Sequence, residues 1–446
     1  MDRPDQIPAP LYKLEEWPPL GPTLVLAAQW LVMMAPGLLV LGEVLADAWG
    51  MGPAEHVAFL QRLFLVVGLV QAGQILLGHR LPALVGPSTV LLVGVLSTLG
   101  QGPGAVYGAM ALGGALTALL GLFGMAGRLA RLYTPAVLAS TLMLIAVSLA
   151  PTLRNLIYPL HAAGLAWGGP TLFAFALTLA LLWGQDRLPG LWGSSILLTG
   201  LLVGSLAYHL LGFEPWPTWR SAGALGLPHP LWAASLSLDW PVLAAFLMCY
   251  LALVSNELGT VESLVHLLRT GQGERRVNRA VLMAGVAGLL GGLSGTLGSV
   301  SYSTSPGAVI TTRNQSRFTF LPAALALMVL GLWPGGLGLF DLVPAPVVGA
   351  VLLAIMSTTV FAAISLLASE GHTPSTRNGL VVGLASTVGL IISFLPSAAR
   401  EALHPLLRPI LANGFVVGLS MALIMDHIVL RRPRPPAGPA PRASQP

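Results

Sequence analysis

Most of the chain consists of apolar stretches close to 20 residues long, separated by short connections that carry arginine. This rhythm restricts the possible folds more than any other feature, because a helix must run about 20 residues to cross a hydrocarbon core about 30 Å thick. Only 9% of the 446 residues are charged and 55% are hydrophobic, whereas a soluble globular chain carries about 25% charge. The pattern predicts fourteen spans, at 21–42, 57–77, 82–98, 104–125, 133–150, 169–185, 191–212, 239–258, 277–296, 300–312, 318–337, 343–365, 378–395 and 405–429.

Basic residues set the orientation. If both ends are cytosolic, only Arg62, Arg154, Arg220, Arg400 and Arg408 of the 22 Lys and Arg fall on outside connections. Such an excess of positive charge inside requires an even number of spans. The net charge of +5 therefore serves topology. It forms no single basic face for nucleic acid, so nucleic acid is not expected as a partner. Residues 1–20 read as a retained cytosolic tail, since no basic stretch precedes an apolar core there. The Pro/Arg-rich segment 430–446 reads as a disordered cytosolic tail. Between them the chain divides into a first repeat at 21–212, an extracellular connection at 213–238 and a second repeat at 239–429, within a multi-pass protein of the cell membrane.

Enzyme constellations are missing from the sequence. It holds no phosphate-binding GxxxxGK[ST] loop, no HExxH helix and no His/Cys cluster at metal-ligand spacing. The single Cys249 rules out a disulfide framework. Neither a metal nor a cofactor is expected, and uphill movement of a solute would draw on an ion gradient.

Two spans depart from the pattern. The third opens with Pro82 and is interrupted at Gly86-Pro87; the tenth, GSVSYSTSPGAVITT, is short, rich in hydroxyls and broken at Pro306-Gly307. Each is third in its own half when the chain is read as seven spans plus seven. Interrupted segments at matching positions mark the solute site of transporters built from inverted repeats, because a helix that begins at mid-membrane offers free N–H groups there. A packing kink is the simpler reading of either break taken singly. Two at matching positions favour a site, since unsatisfied backbone persists at that depth only inside protein or beside a water-filled cavity.

Segment 256–317, NELGTVESLVHLLRTGQGERRVNRAVLMAGVAGLLGGLSGTLGSVSYSTSPGAVITTRNQSR, resembles spans eight to ten of the nucleobase/ascorbate transporter family, also called nucleobase:cation symporter-2. AAQWLVMMAP, GHRLPALVGPSTV, RLYTPAVLAS, PAPVVGAVLLAIMSTT and STRNGLVVGLA are similar to other family segments, in the family's order. The resemblance implies an all-α polytopic membrane protein of two inverted seven-helix repeats. Spans 1–4 and 8–11 would form a core unit and spans 5–7 and 12–14 a gate unit, frequently dimerised through the gate. It also implies alternating access, with H+ as the coupling ion and a small-molecule substrate bound between spans three and ten.

The matches fall short at the positions that read the substrate. The family's tenth-span signature ends in any residue, Gly, four residues, Thr and a basic residue or Gly, and it opens with Gln, Glu or Pro and then Asn. Thr304 and Ser305 stand there instead, while Pro306, Gly307, Thr312 and Arg313 keep the backbone-shaping half. In span eight the expected Glu is Asn256, with Glu257 beside it, and a one-residue offset turns a side chain by about 100°. The Gln-His pair of span one is Gln29-Trp30.

A nucleobase offers adjacent N–H donors and C=O acceptors, which an amide, carboxylate or hydroxyl can pair. The candidate contacts are Ser88, Thr89, Asn256, Thr260, Tyr302, Ser303, Thr304 and Ser305, with Glu257 as the proton-coupling candidate and Tyr302 as a stacking surface. Three readings compete: a nucleobase permease with a rearranged polar edge, an anion carrier akin to sulfate permeases or an uncoupled facilitator, and a non-transporting scaffold or sensor. Glu43, Asp47, Asp239 and Asp341 read as solvated ends of spans, Asp426 and His427 as an interfacial pair, and Trp30 as packing. Of Glu257 and Glu262, at most one faces the centre. Arg269, Arg275, Arg276 and Arg279 form a cytosolic cluster suited to topology and anionic lipid.

Overall fold

The computed structural model describes residues 11–130, 132–158, 168–188, 191–216, 225–230, 235–338, 342–368, 376–404 and 407–430. Every expected span contains a helix, so helix numbers follow span numbers. The first half holds α1 (Leu20–Trp49), α2 (Pro53–Leu76), strand β1 (Val85–Pro87) leading into α3 (Thr89–Thr98), α4 (Gly102–Leu122), α5 (Pro135–Ser148), α6 (Gly168–Arg187) and α7 (Leu191–Leu210). The second holds α8 (Trp240–Leu268), α9 (Gly273–Ser294), strand β2 (Ser299–Ser301) leading into α10 (Ser305–Thr312), α11 (Phe320–Gly331), α12 (Ala345–Ala368), α13 (Thr376–Ser393) and α14 (Gly414–Ile424). Eight helical runs among the described residues are long and apolar enough to cross a bilayer. Helices α3, with 10 residues, and α10, with 8, are short, as they must be when strands interrupt their spans.

Start signals sit where the chain supplies capping side chains. The hydroxyls of Ser88 and Thr134 accept N–H groups in the first turns of α3 and α5, Asp239 does the same for α8, and Asn413 for α14. Such caps satisfy amides that a helix start would otherwise leave unpaired. Several boundaries differ from the sequence expectation. Helix α8 continues ten residues beyond Leu258, to a left-handed Arg269, so Glu262 lies on its exposed flank. The last span, expected from 405, begins only at Asn413: Pro409 lies in a separate short helix, and α14 ends in a π-turn over Met425–Val429.

Packing repeats with a period of seven helices. Helix α4 packs along α9, and α11 along α2; α5 packs on α13, and α12 on α6; α8 packs on α4, and α1 on α11. Advancing each member of a pair by seven yields the other pair, as two inverted seven-helix repeats require. The first four helices of each half make one unit and the last three the other. Contacts as close as those of Gly285 with the α4 backbone at Ala118 leave no room for a Cβ, so α4 and α9 are tightly packed.

The described part of the N-terminal tail is tied down. Leu11 N–H donates to Arg313 O (2.9 Å), Gln315 N–H to Tyr12 O (3.1 Å) and Arg317 N–H to Leu14 O (3.2 Å). Arg317 pairs with Glu15 at 2.7 Å, and Trp17 stacks on Phe318 with ring centroids 4.1 Å apart. Residues 1–10, 431–446 and Asp341 lie outside the described residues.

Glu43 is not the solvated acid expected from sequence, and Asp426, 3.9 Å from its expected partner His427, has further partners. Asp426 is buried and pairs with Arg377 of α13 at 2.6 Å, while Thr134 before α5 donates to its other oxygen at 2.9 Å. Three helices of the gate unit thus share one carboxylate. Glu43 of α1 meets His56 of α2 at 3.2 Å, largely out of solvent. Removing one partner of a buried pair costs about 3 kcal/mol because the other charge is left uncompensated. Asp426→Ala should therefore lower the thermal unfolding temperature of the purified protein clearly, and Asp426→Asn, which keeps an acceptor for Thr134, should lower it less.

Candidate functional site

A chain that stops being helical at membrane depth must pair its backbone polar groups elsewhere. Strands β1 and β2 do so with each other, antiparallel, placing Val85 opposite Ser301, Gly86 opposite Val300 and Pro87 opposite Ser299, all buried. The ribbon extends one residue each way, through Ser88 N–H to Gly298 O (2.9 Å) and Tyr302 N–H to Leu84 O (2.7 Å). The expected interruption is thus a strand pair. Gly86-Pro87 lies within β1, and Pro306-Gly307 occupies the first turn of α10 instead of forming the break, because proline is suited to a helix start, where no amide donor is needed.

Side chains take up the ribbon's outer groups. Gln71 of α2 accepts Val85 N–H at 2.7 Å and donates to Ala83 O at 3.0 Å. Ser305 accepts Leu84 N–H at 3.0 Å and donates to Tyr302 O at 2.5 Å. On the other edge, Asn256 Nδ2 donates to Ser301 O at 3.0 Å, and Glu257 Oε1 accepts Ser301 N–H at 2.9 Å. Neighbouring residues of α8 therefore hold the two polar groups of one residue. Glu257 is fully buried, with no hydrogen-bond partner on Oε2, and the hydroxyl of Thr260, one turn along, is also buried and unpartnered.

Antiparallel pairing fixes the positions of the two half-helices. Ser88, the N-cap of α3, is beside Gly298, and Ser305, the first residue of α10, is beside Leu84. Four residue steps along the chain from Leu84 to Ser88 separate these ends, roughly 13 Å at about 3.3 Å per residue. The two N-termini flank the ribbon at a separation suited to a small molecule.

Several predicted site residues gather here. Asn256, Glu257, Tyr302 and Ser305 collect near the α10 end, Thr260 lies one turn further along α8, Ser303 and Thr304 are exposed at the start of α10, and Ser88 with Thr89 marks the α3 end. Thr312 and Arg313 do not join them. Thr312 bonds back to Ala308 O at 2.8 Å, and Arg313 ends α10 in the left-handed conformation with φ 55°. Tyr302 does not offer an open ring face, since its hydroxyl end is wedged between Gly37 of α1 and Gly86, where a Cβ on either glycine would overlap it. Trp30 is packing, as expected: it is fully buried, stacks on Phe320 at 4.5 Å and donates to Thr319 Oγ1 at 3.0 Å. Gln71 and Ser301 escaped the sequence reading. Three amides, Gln61, Gln71 and Gln74, in one mostly apolar span were a signal for the first; Ser301 contributes through its backbone, to which side-chain pattern is blind.

Half-helices meeting at a strand pair, inside fourteen helices that repeat by sevens, define a multi-pass membrane permease of the inverted-repeat class. The chain belongs to the Permease family of xanthine/uracil permease type, whose sequence model matches residues 21–398. It is 23% identical to the uric acid permease PucK of Bacillus subtilis (strain 168) over 419 residues, 92% of this chain and 96% of PucK. It is also 23% identical to the xanthine permease XanP of Escherichia coli (strain K12) over 442 residues, 94% of each chain. Among solved structures, the transmembrane domain of the cyanobacterial bicarbonate transporter BicA superposes with a TM-score of 0.61 at 15% identity, covering 85% of this chain and 98% of that one. At that identity the likeness is one of fold.

Two substitutions test this geometry. Gly86→Ala forces a methyl group into the Tyr302 ring and should destabilise the protein by about 1–3 kcal/mol. Adding Tyr302→Leu should recover most of that loss, a non-additivity readable in thermal unfolding. Ser305→Ala leaves Leu84 N–H and Tyr302 O without their buried partner, at about 1–3 kcal/mol, and should lower the unfolding temperature while Ser303→Ala at the exposed neighbour does not.

Proposed function

We propose that the protein is a secondary-active permease of nucleobases such as uracil, xanthine and related purines, working by alternating access and coupled to H+. The observation that carries this reading is the pair of half-helix N-termini held across one strand ribbon, with an amide, a carboxylate and hydroxyls collected at one end. A nucleobase is planar, fits the gap between the two ends, and presents donors and acceptors matching such a set. The names of the relatives, a uric acid permease and a xanthine permease, support the same substrate class. Asn256 donates to Ser301 O, so its Oδ1 remains to accept an N–H of the base. Ser303 and Thr304 provide exposed hydroxyls at the start of α10, and Ser88 and Thr89 contribute at α3.

Glu257 takes the proton in this proposal. Its Oε1 holds the strand that delivers α10, and its Oε2 is buried without a partner, so gain or loss of a proton there changes how tightly β2 is held. A carboxylate so close to the site also disfavours the anion-carrier reading, since it would repel the substrate. Repeats spanning 21–212 and 239–429, cytosolic termini, residence in the cell membrane and a dimer through the gate unit complete the proposal.

Two measurements test it. In thermal-shift titrations of the purified protein, uracil, xanthine or hypoxanthine should stabilise the wild type, and sulfate, bicarbonate and dicarboxylates should not; stabilisation by the anions alone would overturn the nucleobase assignment. In proteoliposomes with an imposed pH gradient, wild-type uptake of the base should increase with inward proton drive, and Glu257→Gln should remove that dependence. Retention of the full dependence in Glu257→Gln assigns coupling elsewhere.

A further inference from the structure

Arginines cluster near one end of the core unit, and Arg80, Arg269, Arg275, Arg276 and Arg279 among them differ in what they hold. Arg276 of α9 is committed to backbone: its Nη1 donates to His79 O at 2.7 Å and to Arg80 O at 3.0 Å, fixing the loop that enters β1. Arg80 Nε donates to Leu76 O, and Arg269 ends α8. Arg275 and Arg279 have no hydrogen-bond or ion-pair partner among the described residues, although Arg80 and Arg275 are near enough to Arg279 to repel it. Unpartnered cations held in mutual repulsion call for an anion.

They line an open groove of about 440 Å³ between the end of α4 and the start of α9, shared with Asn278, Leu122 and Leu282. Arg275, Arg279 and Leu282 are spaced four and three residues apart, so they form one stripe along α9. The stripe begins cationic and becomes apolar about 10 Å further along the helix, at 1.5 Å per residue. On the α4 side, Gly121 abuts Leu282 and Asn278, which sets an apolar rim beside the stripe, with Leu122 62% and Phe123 72% exposed. Glu274 also lines the groove but leaves it net positive beside two arginines.

We propose that this groove binds one anionic membrane phospholipid, its phosphate between Arg275 and Arg279 and its acyl chain along Leu282, Leu122 and Phe123. A soluble phosphate would use only the cationic end; the apolar continuation selects a ligand with a chain. The proposal takes this end of the core unit to face the cytosolic leaflet, where anionic headgroups concentrate, and is independent of the transported solute. Because α4 and α9 both belong to the core unit, the lipid would travel with that unit.

Native mass spectrometry of the purified full chain, titrated with phosphatidylglycerol or phosphatidylcholine, reads this directly. The wild type should retain one phosphatidylglycerol preferentially, Arg275→Gln/Arg279→Gln should weaken that binding about tenfold or more, and Arg275→Lys/Arg279→Lys should weaken it less. Equal retention of phosphatidylcholine, unchanged binding in the double variant, or an equal loss in the control Arg269→Gln would overturn the proposal. Displacement of the lipid by millimolar inorganic phosphate alone would overturn it in favour of a soluble anion. Should the double variant fail to fold, the wild-type lipid preference and the single variant Arg279→Gln decide on the same terms. Each readout stands whether or not nucleobases are carried.

Discussion

The structure depends on one requirement: peptide groups placed inside a low-dielectric layer must be hydrogen-bonded, and only helices and paired strands achieve this. Here the chain leaves the helix twice, and each departure is paired with the other. Three paired residues, extended by Ser88 to Gly298 and Tyr302 to Leu84, convert two local defects into a single joint. Because that joint needs one strand from each half, the two repeats are bound at their centres. The half-helices that emerge from it are then fixed in direction and spacing.

Around the joint, side chains act mainly on the backbone. Gln71, Ser305, Asn256 and Glu257 all bond to main-chain groups of β1, β2 or the residues flanking them. The site is therefore shaped from three directions, by α2, α8 and the start of α10, before any solute arrives. Tyr302 adds a steric constraint, since its ring end fits only because Gly37 and Gly86 carry no side chains. Preorganisation of this kind restricts the ordering that a ligand must impose on binding.

Much of the fold was legible in the sequence, because bilayer thickness sets helix length and apolar length is easily read. All fourteen spans contain helices, and spans three and ten were correctly singled out by their Gly/Pro content. Boundaries were less legible. In the C-terminal third of α8, from Gly259 to Leu268, Thr260, Glu262, Ser263 and His266 interrupt the apolar run that defines a span, yet nothing in it breaks a helix. The nature of the interruption was also hidden: three residues are too few for a period-two pattern, and the strand pairing joins residues more than 200 positions apart. At the site, side-chain chemistry picked out Ser88, Asn256, Glu257 and Ser305 without indicating that each is engaged with backbone. Asp426 was legible as a partner of His427, 3.9 Å away, but its burial against Arg377 and Thr134, brought in from two other helices, was not.

An acid at 257, beside Asn256, has a mechanical meaning in the proposed cycle. A carboxylate that only faced the substrate would alter affinity when protonated and leave the scaffold unchanged. Glu257 instead accepts the amide of Ser301, the last residue of β2, three residues ahead of the N-cap of α10. A charge-assisted hydrogen bond is about twice as strong as a neutral one, so protonation at this position loosens the strand and neutralises a buried charge in one event. Asn256, which holds the carbonyl of the same residue, carries no charge and keeps its grip in either state. The ribbon would thus remain registered while its tension changes, which is the behaviour required of a joint that must couple proton occupancy to the placement of a half-helix.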